Sequence, residues 1–201
     1  MKRRYSVYRS AKLETWADVY HPIPFREFRG LSTQVRVDAA YRRLAMILSK
    51  YADLSDKRVL DIGCNIGFYS FSLAKRGALT TGMDIRPEYV DIANEIARIY
   101  RVPARFINAP VTDGAIRHLG KRYDITLCFS VLQWIIAQHG LDYGKQILRT
   151  IYETSDALFF DTAVNTGNSC KFFTPVIEMV FVQQLLRDST GYRTIEHVGD
   201  V

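Results

Sequence analysis

An α/β fold, with a mostly parallel sheet carrying helices on both faces, is what the sequence predicts, and three observations predict it. Short apolar runs alternate with helix-length stretches, and parallel strands need crossovers of that length. The run Val59-Leu60-Asp61-Ile62 ends in a turn whose two glycines, Gly63 and Gly67, stand four positions apart. A second run, Leu79 to Ile85, brings the acid Asp84 to its end, 21 positions after Gly63.

Each element has its own reason. Residues 1–33 show no sustained periodicity, and His21-Pro22-Ile23-Pro24 forces extended or turn backbone, so this stretch reads as a basic arm or lid. Val37, Ala40, Tyr41, Leu44, Ala45 and Leu48 recur at helical spacing, which predicts a helix from Gln34 to about Tyr51. Strands follow at Arg58 to Ile62, Leu79 to Ile85, Ala104 to Asn108 and Tyr123 to Phe129, with helices at Phe68 to Lys75 and from Pro87 to about Tyr100. A helix over Asp142 to Thr154, a strand over Ala157 to Asp161, a helix over Pro175 to Arg187 and a sixth strand over Tyr192 to Val198 complete the expectation. Residues 34–201 then form one domain, of a length ordinary for a single core. The chain stops just after the sixth strand, where folds of this kind add a seventh, antiparallel one. The expectation is either a chain truncated after Val201 or a missing edge, which invites a partner strand or a further domain.

Composition narrows the class. The chain is 48% apolar and 24% charged, far from the profile of disorder. It has no run of about 20 apolar residues to span a membrane and no signal-peptide core after Met1-Lys2-Arg3-Arg4, which predicts a cytoplasmic protein. Cys64, Cys128 and Cys170 are odd in number and widely spaced, so they read as reduced thiols. His21, His118 and His197 lack partners at metal-ligand spacing, and no metal is expected. The net charge of +6 is concentrated early, at Arg3, Arg4, Arg9, Lys12, Arg26, Arg29, Arg36, Arg42 and Arg43. Such an arm steers anionic ligands, or is a solvated basic face.

The chemistry sits in Asp61-Ile62-Gly63-Cys64-Asn65-Ile66-Gly67. Glycines at such a turn let backbone approach a ligand, and the helix that follows offers N–H groups to a carboxylate. S-adenosylmethionine (SAM) carries such a carboxylate on its methionine part. Asp84 suits an acceptor for ribose hydroxyls. The loop lacks the third glycine of G-x-G-x-x-G, which weakens a nicotinamide dehydrogenase reading.

Asp61-x-Gly63-x-Asn65-x-Gly67, Gly82-Met83-Asp84 and Tyr123-Asp124-Ile125 resemble the motifs of class I SAM-dependent methyltransferases, over roughly Arg58 to Asp161. The resemblance implies a Rossmann-like fold and a SAM site at Asp61, Gly63, Cys64, Asn65, Gly67, Asp84 and Ile85. Asn108 and Ala109 would flank the adenine, and Phe129 and Ser130 would border the methyl-transfer cleft. Asp61 would organise the loop or meet the methionine ammonium. Asn65 stands where many members have glycine, and Asn tolerates left-handed backbone. Phe129-Ser130-Val131-Leu132-Gln133-Trp134 and His139-Gly140 resemble two narrower groups, the small-RNA terminal-phosphate methyltransferases and the methyltransferase domain of O-antigen chain-terminating methyltransferase/kinases. Tyr20-x-Pro22-Ile23 and Arg43-Leu44 resemble the segment that covers the cofactor in the latter. Ile136 and Ala137 stand where one or the other of these groups implies histidines.

The function expected is methyl transfer from SAM to an oxygen of an anionic or carbohydrate-like acceptor, a terminal phosphate among them. Tyr20, Arg36, Arg43 and Trp134 are the candidate acceptor contacts, and His139 is the candidate base for a hydroxyl acceptor. RNA methylation is the alternative, without a recognisable RNA-binding module. A non-catalytic SAM-binding scaffold is the alternative of another class.

Overall fold

The computed structural model describes residues 20–28, 32, 34–120, 122–162 and 179–196. In chain order the elements are a 3-10 turn (Arg26–Phe28), α1 (Gln34–Lys50), β1 (Arg58–Ile62), α2 (Phe68–Ala74), β2 (Leu79–Asp84), α3 (Pro87–Tyr100), β3 (Ala104–Asn108), α4 (Asp113–His118), β4 (Tyr123–Phe129), α5 (Leu132–His139), α6 (Leu141–Thr154), β5 (Ser155–Asp161) and α7 (Met179–Ser189). The strands form one sheet in the order β3-β2-β1-β4-β5, flanked by helices. This is the Rossmann-like architecture the alternation predicts. The chain divides into two compact units, Met1–Pro110 with Val198–Val201, and Val111–His197.

In the first unit β1, β2 and β3 pair in parallel, with Gly82 opposite both Asp61 and Phe106. Helix α1 buries Ala40, Leu44 and Ile47, while Tyr41 and Ala45 face solvent, so the apolar stripe is rotated from the one the sequence suggests. Helix α3 opens on Pro87, as its fixed φ favours, and ends with Arg101 in left-handed backbone. Its buried face, Val90, Ile92, Ala93, Ile96 and Ala97, shares a core with Cys64, Ile66, Phe71 and Phe106. The segment from Tyr20 to Phe28 is docked on this unit. Ile23 and Phe28 are buried in that core, Phe25 stacks on Tyr100 at 4.0 Å, and Lys75 Nζ donates to the Pro24 carbonyl at 2.9 Å. The remaining residues before Tyr20 lie outside the described residues.

Strand β3 is an edge, and alternate residues present their backbone groups outward there. Phe106 is such a residue, and the Asn94 side chain of α3 meets it. Phe106 N–H donates to Asn94 Oδ1 at 3.1 Å, and Asn94 Nδ2 donates to the Phe106 carbonyl at 3.0 Å. One amide therefore does what a further strand would do. Asn94→Leu, which strands both backbone groups under an apolar side chain, is expected to destabilise the fold by about 1–3 kcal/mol in urea unfolding.

In the second unit β4 and β5 pair in parallel, Tyr123 opposite Ser155 and Phe129 opposite Asp161. Strand β5 starts two residues earlier than its apolar run, where the Ser155 hydroxyl is buried in a hydrogen bond with Thr126. Helix α4 is capped by the Thr112 hydroxyl, which accepts from Ala115 N–H at 3.0 Å. Helices α5 and α6 pack closely at Gly144, where an added Cβ would stand 2.5 Å from Ile136 Cγ1. Helix α7 is described from Met179, and the expected start at Pro175 lies outside the described residues. The expected sixth strand does not form over Tyr192 to Glu196; His197 and Val198 lie outside the described residues. Instead the Tyr192 ring packs edge-on against Tyr152 at 5.0 Å and its hydroxyl donates to the Ser155 carbonyl at 3.4 Å.

Candidate functional site

The first unit gathers its chemistry at the carboxyl ends of its strands, where open α/β sheets take their ligands. Three of the five residues after β1 have left-handed backbone, Gly63 at φ 70°, Asn65 at φ 53° and Gly67 at φ 88°. Asn65 holds this conformation with its own side chain, since Oδ1 accepts the Ile66 N–H at 2.8 Å. Every loop N–H is satisfied within the unit. Gly63 and Cys64 both donate to the Met83 carbonyl, at 2.8 and 3.0 Å, and Gly67 donates to the Cys64 carbonyl at 2.9 Å. Asn65 donates to Asp84 Oδ2 at 2.8 Å.

Asp84 thus organises the loop as well as ending β2. Its Oδ1 accepts the Arg86 N–H at 2.9 Å. A carboxylate offers about four lone-pair sites, so each oxygen keeps capacity for one more donor, such as a ribose hydroxyl. Beside it, Asn108 Nδ2 donates to the carbonyls of Asp84 and Ile85, at 3.1 and 2.9 Å, and Ala109 N–H donates to the Asp84 carbonyl at 3.1 Å. These bonds fasten the end of β3 to the end of β2. The Ile85 side chain is left 66% exposed on the same rim, an apolar surface of the kind an adenine ring covers.

Asp61 is buried at the end of β1, with Oδ2 accepting the Ser70 hydroxyl at 2.7 Å and the Ser70 N–H at 3.2 Å. Burial pushes its carboxyl up from 3.8 to about 6; the Ser70 bonds oppose that rise and the charge of Asp84 adds to it. Cys64 contributes backbone, for its thiol lies buried under the loop. Burial, and then the charges of Asp61 and Asp84, hold the thiol well above its ordinary range. The aromatic ladder on the same unit runs from Arg36, whose guanidinium lies 4.8 Å over the Tyr20 ring, through His21 at 4.7 Å from Tyr20, to Tyr69 at 5.6 Å from His21. Arg43 is half-buried on α1.

In the second unit Ser130 follows β4 in left-handed backbone at φ 55°, a strained state for a residue with a Cβ. Asp161, ending β5, holds it twice. Ser130 N–H donates to the Asp161 carbonyl at 3.0 Å, and Ser130 Oγ donates to Oδ1 at 2.8 Å. The next pair repeats the tie, as Thr162 Oγ1 donates to Gln133 Oε1 at 3.2 Å. Phe129 is half-buried, and Trp134 in the first turn of α5 is 60% exposed. His139, in the last turn of α5, is exposed with its ring 4.9 Å from that of Tyr143. Five positions separate Trp134 from His139, about 140° around a helix, so the two do not share a face. Asp161 and Ser70 were missed from sequence. An acid at the carboxyl end of a strand is the signal that points to Asp161; a serine nine positions from its partner carries none.

Residues 60–156 match the family described as a methyltransferase domain. Over 160 residues the chain is 28% identical to the O-antigen chain terminator bifunctional methyltransferase/kinase WbdD of Escherichia coli, covering 77% of this chain and 22% of that protein. A ubiquinone biosynthesis O-methyltransferase of Vibrio vulnificus is 33% identical over 93 residues, 46% of this chain and 39% of that one. The chain therefore spans less than half the length of these relatives. Magnesium protoporphyrin IX methyltransferase (ChlM) from Synechocystis PCC 6803, solved with bound S-adenosylhomocysteine (SAH), shares the fold at a TM-score of 0.61 and 20% identity, covering 92% of this chain and 86% of that one. The comparisons give no support to the small-RNA resemblance. Among the described residues, no helix is long and apolar enough to cross a membrane.

Proposed function

We propose that this chain transfers a methyl group from SAM to an oxygen of an anionic or carbohydrate-like acceptor, a terminal phosphate being one such oxygen. The observation that carries the cofactor half is Asp84, whose carboxylate fixes the loop at Asn65 and retains acceptor capacity for a ribose. SAM supplies a methyl already activated by its sulfonium. The chain's residues have to hold the cofactor and orient the acceptor oxygen. Gly63 to Gly67 would take the methionine part, Asp84 the ribose, and Ile85, Asn108 and Ala109 the adenine. The acceptor half is supported by the two relatives named for a glycan chain end and for O-methylation. Arg36, held over Tyr20, and Arg43 are proposed to orient anionic oxygens. Trp134 is proposed as an acceptor surface, with Phe129 and Ser130 bordering it.

The first test is calorimetric titration with SAH, expected to give micromolar binding. SAM is then incubated with sugar phosphates, free sugars, phenols and a structured RNA, and SAH formation is measured. Turnover on the phosphates or sugars supports the reading, and turnover on RNA alone replaces it. SAH binding with no turnover on any class favours a scaffold subunit.

His139→Ala separates the acceptor chemistries. A phosphate dianion has no proton to lose, so the variant is expected to keep its rate. On a hydroxyl acceptor that needs a base, the rate is expected to fall by about 10²–10⁴-fold.

A further inference from the structure

We propose that Phe106, a buried residue of the edge strand β3, is a positioning residue for the SAM-binding loop. This rests on the reading that Gly63 to Gly67 take the methionine part of the cofactor. One edge of the Phe106 ring runs along two glycines at once. A Cβ on Gly67 would stand 2.6 Å from its Cε1 and Cζ, and a Cβ on Gly82 would stand 2.6 Å from its Cδ1. The ring occupies the space that side chains at both positions would need.

Its surroundings make it a fixed support. Phe71 packs on it with ring centroids 5.1 Å apart, and the Cys64 thiol closes the same space, 2.8 Å from where a Gly82 Cβ would be. Asn94 fixes the Phe106 backbone through both of its outward groups. The loop thus rests on a ring that is itself tied to α3. With all loop N–H groups bonded inside the unit, the loop is tied to β2 at Met83 and Asp84, and the Phe106 ring sets the seat of its Gly67 end. Removing the ring lowers that seat, and crowding the ring from the Gly82 side tilts it. Asp84 keeps its Oδ1 bond from Arg86 and Asn108 keeps its bonds to the end of β2 in either case, so the adenosine end of the site is disturbed less than the Gly67 end.

This predicts a split between two ligands. SAH engages the whole site, whereas methylthioadenosine keeps adenine, ribose and sulfur but lacks the amino-acid part that the loop would hold. The variants are Phe106→Leu, Phe106→Ala, Gly82→Ala and the double variant Gly82→Ala/Phe106→Leu. Each affinity is measured by calorimetry on the full chain. Gly82→Ala and Phe106→Ala are expected to weaken SAH by about tenfold or more, the loss of one charge-assisted hydrogen bond, with methylthioadenosine changed by less than about threefold. Phe106→Leu is expected to be milder, and the double variant to bind SAH better than Gly82→Ala alone, because leucine vacates the space the new Cβ enters.

Equal weakening of both ligands, or unchanged SAH affinity in Gly82→Ala, overturns the proposal. Should Phe106→Ala fail to fold, Gly82→Ala and its rescue still decide. Failure of the wild-type chain to bind SAH is a different result, which overturns the cofactor reading and this inference with it.

Discussion

Asp84→Ala is expected to raise the Kd for SAH by about a hundredfold or more, the largest single effect in the site. Hydrogen bonds to a charged acceptor contribute about 1.5–3 kcal/mol each, and two ribose hydroxyls on one carboxylate reach that factor together. The same change frees the N–H groups of Asn65 and Arg86, so the loop loses a tie together with the carboxylate proposed to hold the ribose. Asp84→Asn keeps one acceptor oxygen and is expected to fall between the two. Calorimetry with SAH, paired with thermal unfolding of each variant, reads both effects. A Kd within about threefold of wild type in a folded Asp84→Ala chain would remove the ribose from this carboxylate.

The second large effect is a pH dependence centred on Asp61. Its carboxyl is raised from 3.8 to about 6 by burial, so the folded chain holds a proton there that the unfolded chain has released. Between those values folding takes up protons, and stability falls as pH rises from about 4 to about 6, then levels off. The raised value corresponds to about 3 kcal/mol. Asp61→Asn removes the charge and is expected to flatten this slope in urea unfolding at pH 4.5 and 6.5. Ligand binding runs the other way. A methionine ammonium facing Asp61 favours the carboxylate, so SAH affinity should rise about tenfold from pH 5 to pH 7 in the wild type and stay flat in Asp61→Asn. A wild-type affinity that does not follow pH leaves Asp61 with Ser70 alone as its partner.

Much of the first unit was legible because its signals are local. Gly63, Asn65 and Gly67 declare left-handed backbone within five residues, and Asp84 sits where a short strand must end. What escaped depends on pairings across crossovers. Nothing in the sequence says that Asn94 closes the outer side of Phe106, twelve positions on, or that Asp161 holds Ser130 from 31 positions away. The residues Tyr192 to Val198 predict a sixth strand. Residues with good strand propensity need a neighbour to pair with, and Tyr192 spends its hydroxyl and ring on Ser155 and Tyr152 instead. The small helices α4 and α5, of six and eight residues, have too few turns to give a periodic signal.

Since the residues from Gly63 to Gly67 bond to their own unit at every N–H, their order is settled before any cofactor arrives. The entropy of arranging that stretch is lost on folding and does not recur on association. Cofactor capture at this loop should therefore show a heat-capacity change set by the apolar surface covered, with no added contribution from ordering of the chain. Its kinetics should be a single phase whose rate grows in proportion to cofactor concentration.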